Sequence, residues 1–303
     1  MKDYLTELCS LHPVRRTSAQ KEDFFNYVYK EFEPNVVKKD LLEKKHNNII
    51  IGDIEKSEVL FTAHYDTPAT SIYPNLMMPR NKWLTMLYHT AIPVLIGFLS
   101  LAVAYGIGYL CSIPQEYSYF VFLPIYLGAF FLSTRCFTNK NNKNDNTSGV
   151  ATLLTIAKKV GHDKVAFVLF DNEEKGLLGS KAMAKKYKEL MKNKLVVNFD
   201  CVGNGSEILY IAKKDAMQDG NYFKMIKKLK NSEKFTVHLF SIKGSTSNSD
   251  FKNFERGVGV MACSKGKFVK FYTGRIHTPK DVVASSENVE FIANQMVEFV
   301  STL

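Results

Sequence analysis

One stretch constrains this chain more than any other. From Trp83 to Gln115 there is no aspartate, glutamate, lysine or arginine over 33 residues. A second uncharged run, YSYFVFLPIYLGAFFLST, fills Tyr117 to Thr134, with only Glu116 between the two. A membrane-spanning helix needs about 20 apolar residues, within a range of about 17–25. The first run exceeds that length. The second sits near its lower end and contains Pro124, which a spanning helix tolerates. Trp83, Tyr88, Tyr109, Tyr117 and Tyr119 lie near the run ends, where an aromatic belt meets lipid headgroups. We read residues 83–134 as an inserted two-helix hairpin whose partner is a lipid bilayer. A buried apolar hairpin or a dimerisation arm is the alternative.

Orientation follows the basic residues in short flanks. Arg80 and Lys82 precede the first run, and Arg135, Lys140 and Lys143 follow the second. The connector SIPQEYS carries only Glu116. Two spans with basic outer ends predict a multi-pass protein whose remaining residues face the cytoplasm. An even number of spans keeps residues 1–82 and 135–303 on one side, as a single discontinuous domain requires. The N-terminus, MKDYLTELCSLHPVRRTSAQ, lacks the apolar core and cleavage site of a signal peptide. Cys9, Cys111, Cys136, Cys201 and Cys263 show no CxxC spacing and read as reduced, buried residues of an intracellular chain. The net charge of +10 comes from lysine, without a nucleic-acid-binding motif or a dense arginine patch. Nucleic acid is therefore not expected as a partner, whereas anionic lipid suits a lysine-rich surface. Oligomeric state is not legible.

Outside the hairpin the pattern is α/β. A short helix precedes Pro13, and a second is expected over Ser18–Glu31. NVVKKDLLEKK, NNIII and EVLFTAHYDT read as strands. After residue 140, amphipathic helices such as NTSGVATLLTIAKKV and LLGSKAMAKKYKELMK alternate with buried strands such as KVAFVLF, KLVVNFD and GVGVMAC. That alternation predicts a mixed, mainly parallel central sheet with helices on both faces. In such sheets functional groups gather beyond the carboxyl ends of the strands.

The polar residues fall at those ends. His64 and Asp66 follow VLFTA, Asp145 precedes a helix, Glu173 and Glu174 follow VAFVLFD, Asp200 ends LVVNFD, and His277 follows the last strand region. Adjacent ionised glutamates repel, so the pair at 173–174 needs a reason. A solvated loop is one. A helix start, where acids offset the dipole, is another. A third is that one glutamate holds a metal while the other moves protons. Two imidazoles and several carboxylates suit zinc, and two metals about 3.5–4 Å apart can share one carboxylate. In that reading Glu174 is the ligand and Glu173 the general base.

In this order, HYDTP, NDNTSGV, DNEEKGLLGS, NFDCVG and IHTPKD resemble the motifs of the co-catalytic di-zinc aminopeptidases, metallopeptidase family twenty-eight. The resemblance covers the chain apart from the apolar segment. It implies a zinc aminopeptidase/phosphorylase-like fold, a peptide substrate and two Zn2+ per chain. Asp145 would bridge the metals, His64 and Asp200 would complete one site, and Glu174 and His277 the other. Asp66 would orient the His64 imidazole, and Glu173 would act as general base and acid.

Two departures stand out. Many relatives carry histidine after the aspartate of a Ser-Asp-His stretch, where SNSDFKNF has Phe251. Asp250 is accordingly read as structural. The apolar run also widens the gap between His64 and Asp145. Tyr272 is read either as an oxyanion donor or as a buried structural residue. The same fold also hosts carboxypeptidases, dipeptidases and glutaminyl cyclases. The cyclases usually have tryptophan before the last metal histidine, where this chain has Ile276. A non-catalytic binding protein on this fold would be expected to have lost ligands, and none is missing here.

Overall fold

The computed structural model describes residues 2–33, 35–42, 46–134 and 137–303. Arg135 and Cys136, used above in the topology and cysteine arguments, lie outside the described residues.

Helices α1 (Tyr4–Leu11) and α2 (Ser18–Glu31) open the chain. Thr17 starts α2 with a reciprocal cap: its hydroxyl accepts from the Gln20 backbone N–H, and the Gln20 side chain accepts from the Thr17 N–H. Strands β1 (Val37–Leu42), β2 (His46–Ile51), β3 (Val59–His64), β4 (Ala69–Thr70) and β5 (Asn75–Met77) follow. Next come α3 (Lys82–Leu110), α4 (Ser118–Thr134) and β6 (Phe137–Thr138). The rest alternates as α5 (Gly149–Lys159), β7 (Val165–Phe170), α6 (Leu178–Lys186), α7 (Lys188–Met191), β8 (Leu195–Phe199) and β9 (Glu207–Ala212). It ends with α8 (Gly220–Ile226), β10 (Thr236–Ser241), β11 (Gly257–Cys263), β12 (Thr273–Ile276) and α9 (Ser286–Val300).

Eight strands form one sheet in the order β1-β2-β7-β3-β8-β11-β9-β10. The central run β7-β3-β8-β11 is parallel throughout, and β2 and β9 join it antiparallel. Alternation along the strands divides the core. Val59 and Phe61 face α5 and α9, while Leu60 faces Met183 of α6 and Met191 of α7. Phe61 stacks on Phe167 and Phe199, with centroids 5.6 and 6.0 Å away. The single helix expected over 177–192 is instead two. The chain leaves helical geometry at Tyr187, whose hydroxyl donates to Asp40 on β1.

Helix α3 and the segment Gln115–Thr134, which contains α4, are long and apolar enough to cross a membrane. Their burial is inverted. The buried positions of α3 are Ser100, Ala104 and Gly108, and those of α4 are Ser118 and Ser133. Phe98, Leu99, Val103, Phe120 and Phe131 are exposed. Small residues at the contact let two backbones approach, which is how helices associate in lipid. Short ladders close the base of the hairpin: β4 pairs with β6 and β5 with β12. Of the cysteines expected to be buried, Cys201 and Cys263 are, Cys9 is half-buried, and Cys111 is exposed. Cys111 caps the end of α3 at the hairpin turn, where no packed layer covers it.

Candidate metal centre

Because β7, β3 and β8 are neighbours, their carboxyl ends open on one place. His64 is the last residue of β3, and Asp200 follows β8 directly. β7 leads through Asp171 and the left-handed Asn172 (φ +55°) to Glu173 and Glu174. His277, also left-handed (φ +58°), follows β12. Non-glycine residues in this region cost about 1–3 kcal/mol each and gather at functional sites. Asp145 arrives from the loop before α5. The glycine of NTSG is required there. A Cβ on Gly149 would lie 2.3 Å from Asn146 Oδ1 and 2.4 Å from the Phe199 carbonyl oxygen. Only glycine lets α5 begin against the end of β8.

The side chains converge on Asp145. Its Oδ1 lies 3.3 Å from His64 Nε2 and its Oδ2 3.0 Å from His277 Nε2. Asp200 Oδ1 is 3.8 Å from His64 Nε2, and Glu174 Oε2 is 3.5 Å from His277 Nε2. Two potential metal-binding triads result, His64–Asp145–Asp200 and Asp145–Glu174–His277. Glu173 groups with His64 and Glu174. These residues line a cleft of about 380 Å³, walled by Met77, Leu177 and Ile276.

Asp66 does more than face His64. Its carboxylate accepts from the backbone N–H groups of Glu173 (2.9 Å) and Glu174 (3.3 Å), so it holds the loop that carries both glutamates. The His64 Nδ1 is nearer the Asp66 carbonyl oxygen (3.2 Å) than the Asp66 carboxylate (3.6 Å). Sequence reasoning missed two other supports. Asp281 accepts from the N–H groups of Asn144 and Asp145. The Asn146 amide donates to the Phe199 carbonyl and accepts from Gly149 and Cys201. The available signal was the Asp281 of HTPKD, four residues beyond His277.

Electrostatics indicate what is needed here. Asp66, Asp145, Glu173, Glu174 and Asp200 crowd around two imidazoles. Burial, opposed by His277 and reinforced by the Asp145 charge, pushes Glu174 up to about 8. Burial, opposed by His64 and reinforced by Glu174, raises Glu173 well above the carboxylate range. Burial would lower His277, but Glu174 and Asp145 outweigh it and push the imidazole up to about 9. Asp145 is held low despite its burial, because both histidines bond to it. Glu174 Oε1 is buried without a hydrogen-bond partner. A surplus of buried carboxylate, an unpaired acceptor and two imidazoles sharing one carboxylate fit divalent cations of the zinc type.

Two residues stand apart. Asp250 is buried, accepts from the Ser180 hydroxyl and is pushed up to about 7 by burial. Phe251 fills the space over Gly259, where an added Cβ would stand 2.5 Å from its ring, so the position occupied by histidine in many relatives packs the core here. Tyr272 pairs through its backbone with Ser264 and does not line the cleft.

A sequence model of peptidase family M28 matches residues 138–300. Among solved structures, the Legionella pneumophila LapA aminopeptidase aligns with a TM-score of 0.55 at 14% identity, over 98% of this chain and 67% of that one. The Porphyromonas gingivalis glutaminyl cyclase aligns with a TM-score of 0.60 at 13% identity, over 99% of this chain and 96% of that one. The Fimbriiglobus ruber glutaminyl cyclase gives 0.55 at 14% identity, over 99% and 93%. No curated protein sequence matches. Identities this low speak for the fold alone, but the family match spans more than half of the sequence and includes Asp145, Glu173, Glu174, Asp200 and His277. The chain therefore belongs to peptidase family M28.

Proposed function

We infer that this M28 protein is a zinc-dependent aminopeptidase, held in a membrane by α3 and α4 with its metal centre on the cytoplasmic side. The observation that carries the reading is Asp145, whose two oxygens face different histidines. Asp145 would bridge two zinc ions, with His64 and Asp200 completing one site and Glu174 and His277 the other. Bound zinc supplies Lewis acidity, polarising a carbonyl and making water easier to deprotonate. Glu173 stays outside that ligand set, on the loop that Asp66 fixes. Its carboxylate takes the proton of the attacking water and returns it to the leaving amine. The ordered motifs that resemble those of the di-zinc aminopeptidases, with an aminopeptidase among the fold neighbours, support cleavage at the N-terminus rather than the C-terminus. Met77, Leu177 and Ile276 offer an apolar wall for the first side chain.

In this reading residues 1–82 and 135–303 form the peptidase body and residues 83–134 the membrane hairpin. An adjoining cleft of about 390 Å³ shares Glu174 and Lys175 with the metal cleft and reaches Phe131 of α4. A peptide presented near the bilayer suits that path. Exposed Cys111 at the turn should react with an impermeant thiol reagent in intact cells, while Lys143→Cys in a Cys111→Ser background should not. Labelling at 143 alone would reverse the orientation.

The glutaminyl cyclases among the fold neighbours, one of them matched over 96% of its length, favour cyclisation of N-terminal glutamine as a second reading. Ile276 in place of tryptophan weighs against it. One assay separates the readings. A free-N-terminus peptide series is incubated with purified enzyme, alongside N-acetylated and C-amidated versions. Release of the first amino acid, blocked by acetylation alone, is the expected result. Ammonia loss from the glutamine peptide without chain shortening identifies the cyclase, and a block by amidation identifies a carboxypeptidase.

A further inference from the structure

Outside the hairpin, one large apolar side chain among the described residues is almost wholly exposed. Phe268 is 98% accessible, at the tip of a loop between β11 and β12. Lys265, Lys267 and Lys270 surround it in the sequence, and all three are exposed. A lone exposed aromatic would be unremarked on a water-facing surface. The position of this one gives it meaning.

The stem of the loop is fixed beside the base of the hairpin. Ser264 and Tyr272 pair across it, and Gly266 N–H donates to the Val269 carbonyl, which keeps the tip tight. Phe271 packs against Phe240 with centroids 5.7 Å apart. The Arg80 guanidinium lies over that same Phe240 ring, 4.5 Å from its centroid, and donates to the carbonyls of Ser241 and Lys243. Arg80 precedes the start of α3 by two residues. Phe268 stands three positions before Phe271, a reach of at most about 11 Å. The stem is therefore tied to the segment that leads into α3: Phe271 and Arg80 bear on the same Phe240 ring, and Thr273 pairs with Met77 of β5. Other apolar side chains are exposed at the same base: Ile72 (73%), whose N–H donates to the Ser133 carbonyl of α4, and Trp83 (77%) in the first turn of α3.

We propose that the 264–272 loop is a second membrane contact, with Phe268 seated among the headgroups and Lys265, Lys267 and Lys270 against anionic lipid. An aromatic flanked by cations matches the chemistry of that interface, which is apolar below and negatively charged above. The contact is continuous with the hairpin that the proposed function places in the bilayer, and it rests on that reading. Through β12, the loop also connects within five residues to His277, so the contact would hold one wall of the metal cleft at a set height above the lipid.

The chain has a single tryptophan, Trp83, which makes the test separable. Full-length protein is reconstituted into phosphatidylcholine vesicles with bromine-labelled acyl chains, with and without phosphatidylserine. In the wild type, quenching of Trp83 reports the seating of the hairpin. In the Trp83→Phe/Phe268→Trp variant, quenching reports the loop. The expected result is quenching of Trp83 in both lipids. Quenching of Phe268→Trp should be strong with phosphatidylserine and weak without it. Changing Lys265, Lys267 and Lys270 to Gln should abolish the difference, since each basic residue near an anionic surface alters occupancy about fivefold. If Trp83 is quenched and Phe268→Trp is not, the loop proposal is overturned while the hairpin stands. Concentration-dependent shielding of Phe268→Trp in detergent would also overturn it, in favour of a second copy. Trp83 left unquenched would sink the membrane reading itself.

Discussion

In the sheet body, Phe61, Phe167 and Phe199 stack at zero exposure while most lysines face outward; in α3, Phe98, Leu99 and Val103 face outward while Ser100, Ala104 and Gly108 are buried. The same residue types are sorted in opposite directions. Water drives apolar surface inward in the body. In lipid that drive is absent between helices, and close approach of small residues takes over. Buried ionisable groups, and not hydroxyls, separate the two regions. The hydroxyls of Thr90, Ser133 and Thr134 donate to carbonyls of their own helices, as those of Thr152 and Thr155 do in α5. The body brings five carboxylates and two imidazoles to the ends of neighbouring strands. The burial pattern sets the hairpin apart from the body more sharply than helix length does.

The largest expected effect sharpens the division between chemistry and anchorage. Glu173→Gln should lower kcat by about 10²–10⁴-fold, the usual contribution of a general acid–base group, with zinc content and membrane retention unchanged. Paired measurement of turnover and bound metal checks this. If Glu173→Gln lost zinc while Glu174→Gln kept it, the two roles would be exchanged.

Next in size is a matched pair of truncations. Leu153 on α5 is fully buried, and Leu99 on α3 is 60% exposed. Leu153→Ala should destabilise the protein by about 2–5 kcal/mol, and Leu99→Ala by about 0.5 kcal/mol or less. Denaturation in detergent measures both, and equal losses would break the comparison. Asp281→Ala leaves the Asn144 and Asp145 N–H groups without acceptors, at a cost of about 1–3 kcal/mol. It should also weaken metal retention, which Asp281→Asn should partly restore. The converse change in the hairpin, Ala104→Leu, should cost about 1–3 kcal/mol through overpacking and leave zinc binding intact. Metal loss there would mean that the two regions are coupled.

Much of this was legible in sequence, for physical reasons. Continuous runs such as VAFVLF and GVGVMAC are buried on both faces of a parallel sheet, so their positions match β7 and β11. Thr17 and Gln20 bound α2 at Ser18 through a local cap. Asp145, Glu173, Glu174, Asp200 and His277 fall at strand and helix ends, where short-range pattern suffices. What was not legible depends on contacts between distant parts of the chain. The support that Asp66 gives to the Glu173–Glu174 backbone spans 107 residues and that of Asp281 to Asp145 spans 136. The two-residue ladders of β4 and β6 carry too few residues to show a period. The break at Tyr187 reflects a bond to β1, and no proline or glycine marks it.

In the proposed centre one carboxylate, Asp145, would hold two metals together at the end of the sheet. Elemental analysis of detergent-purified, full-length protein tests it most directly, comparing the wild type with Asp145→Asn. Two zinc ions per chain are expected in the wild type, with at least one lost and activity abolished on substitution. One tight zinc in the wild type, with Asp145→Asn fully active, would contradict it.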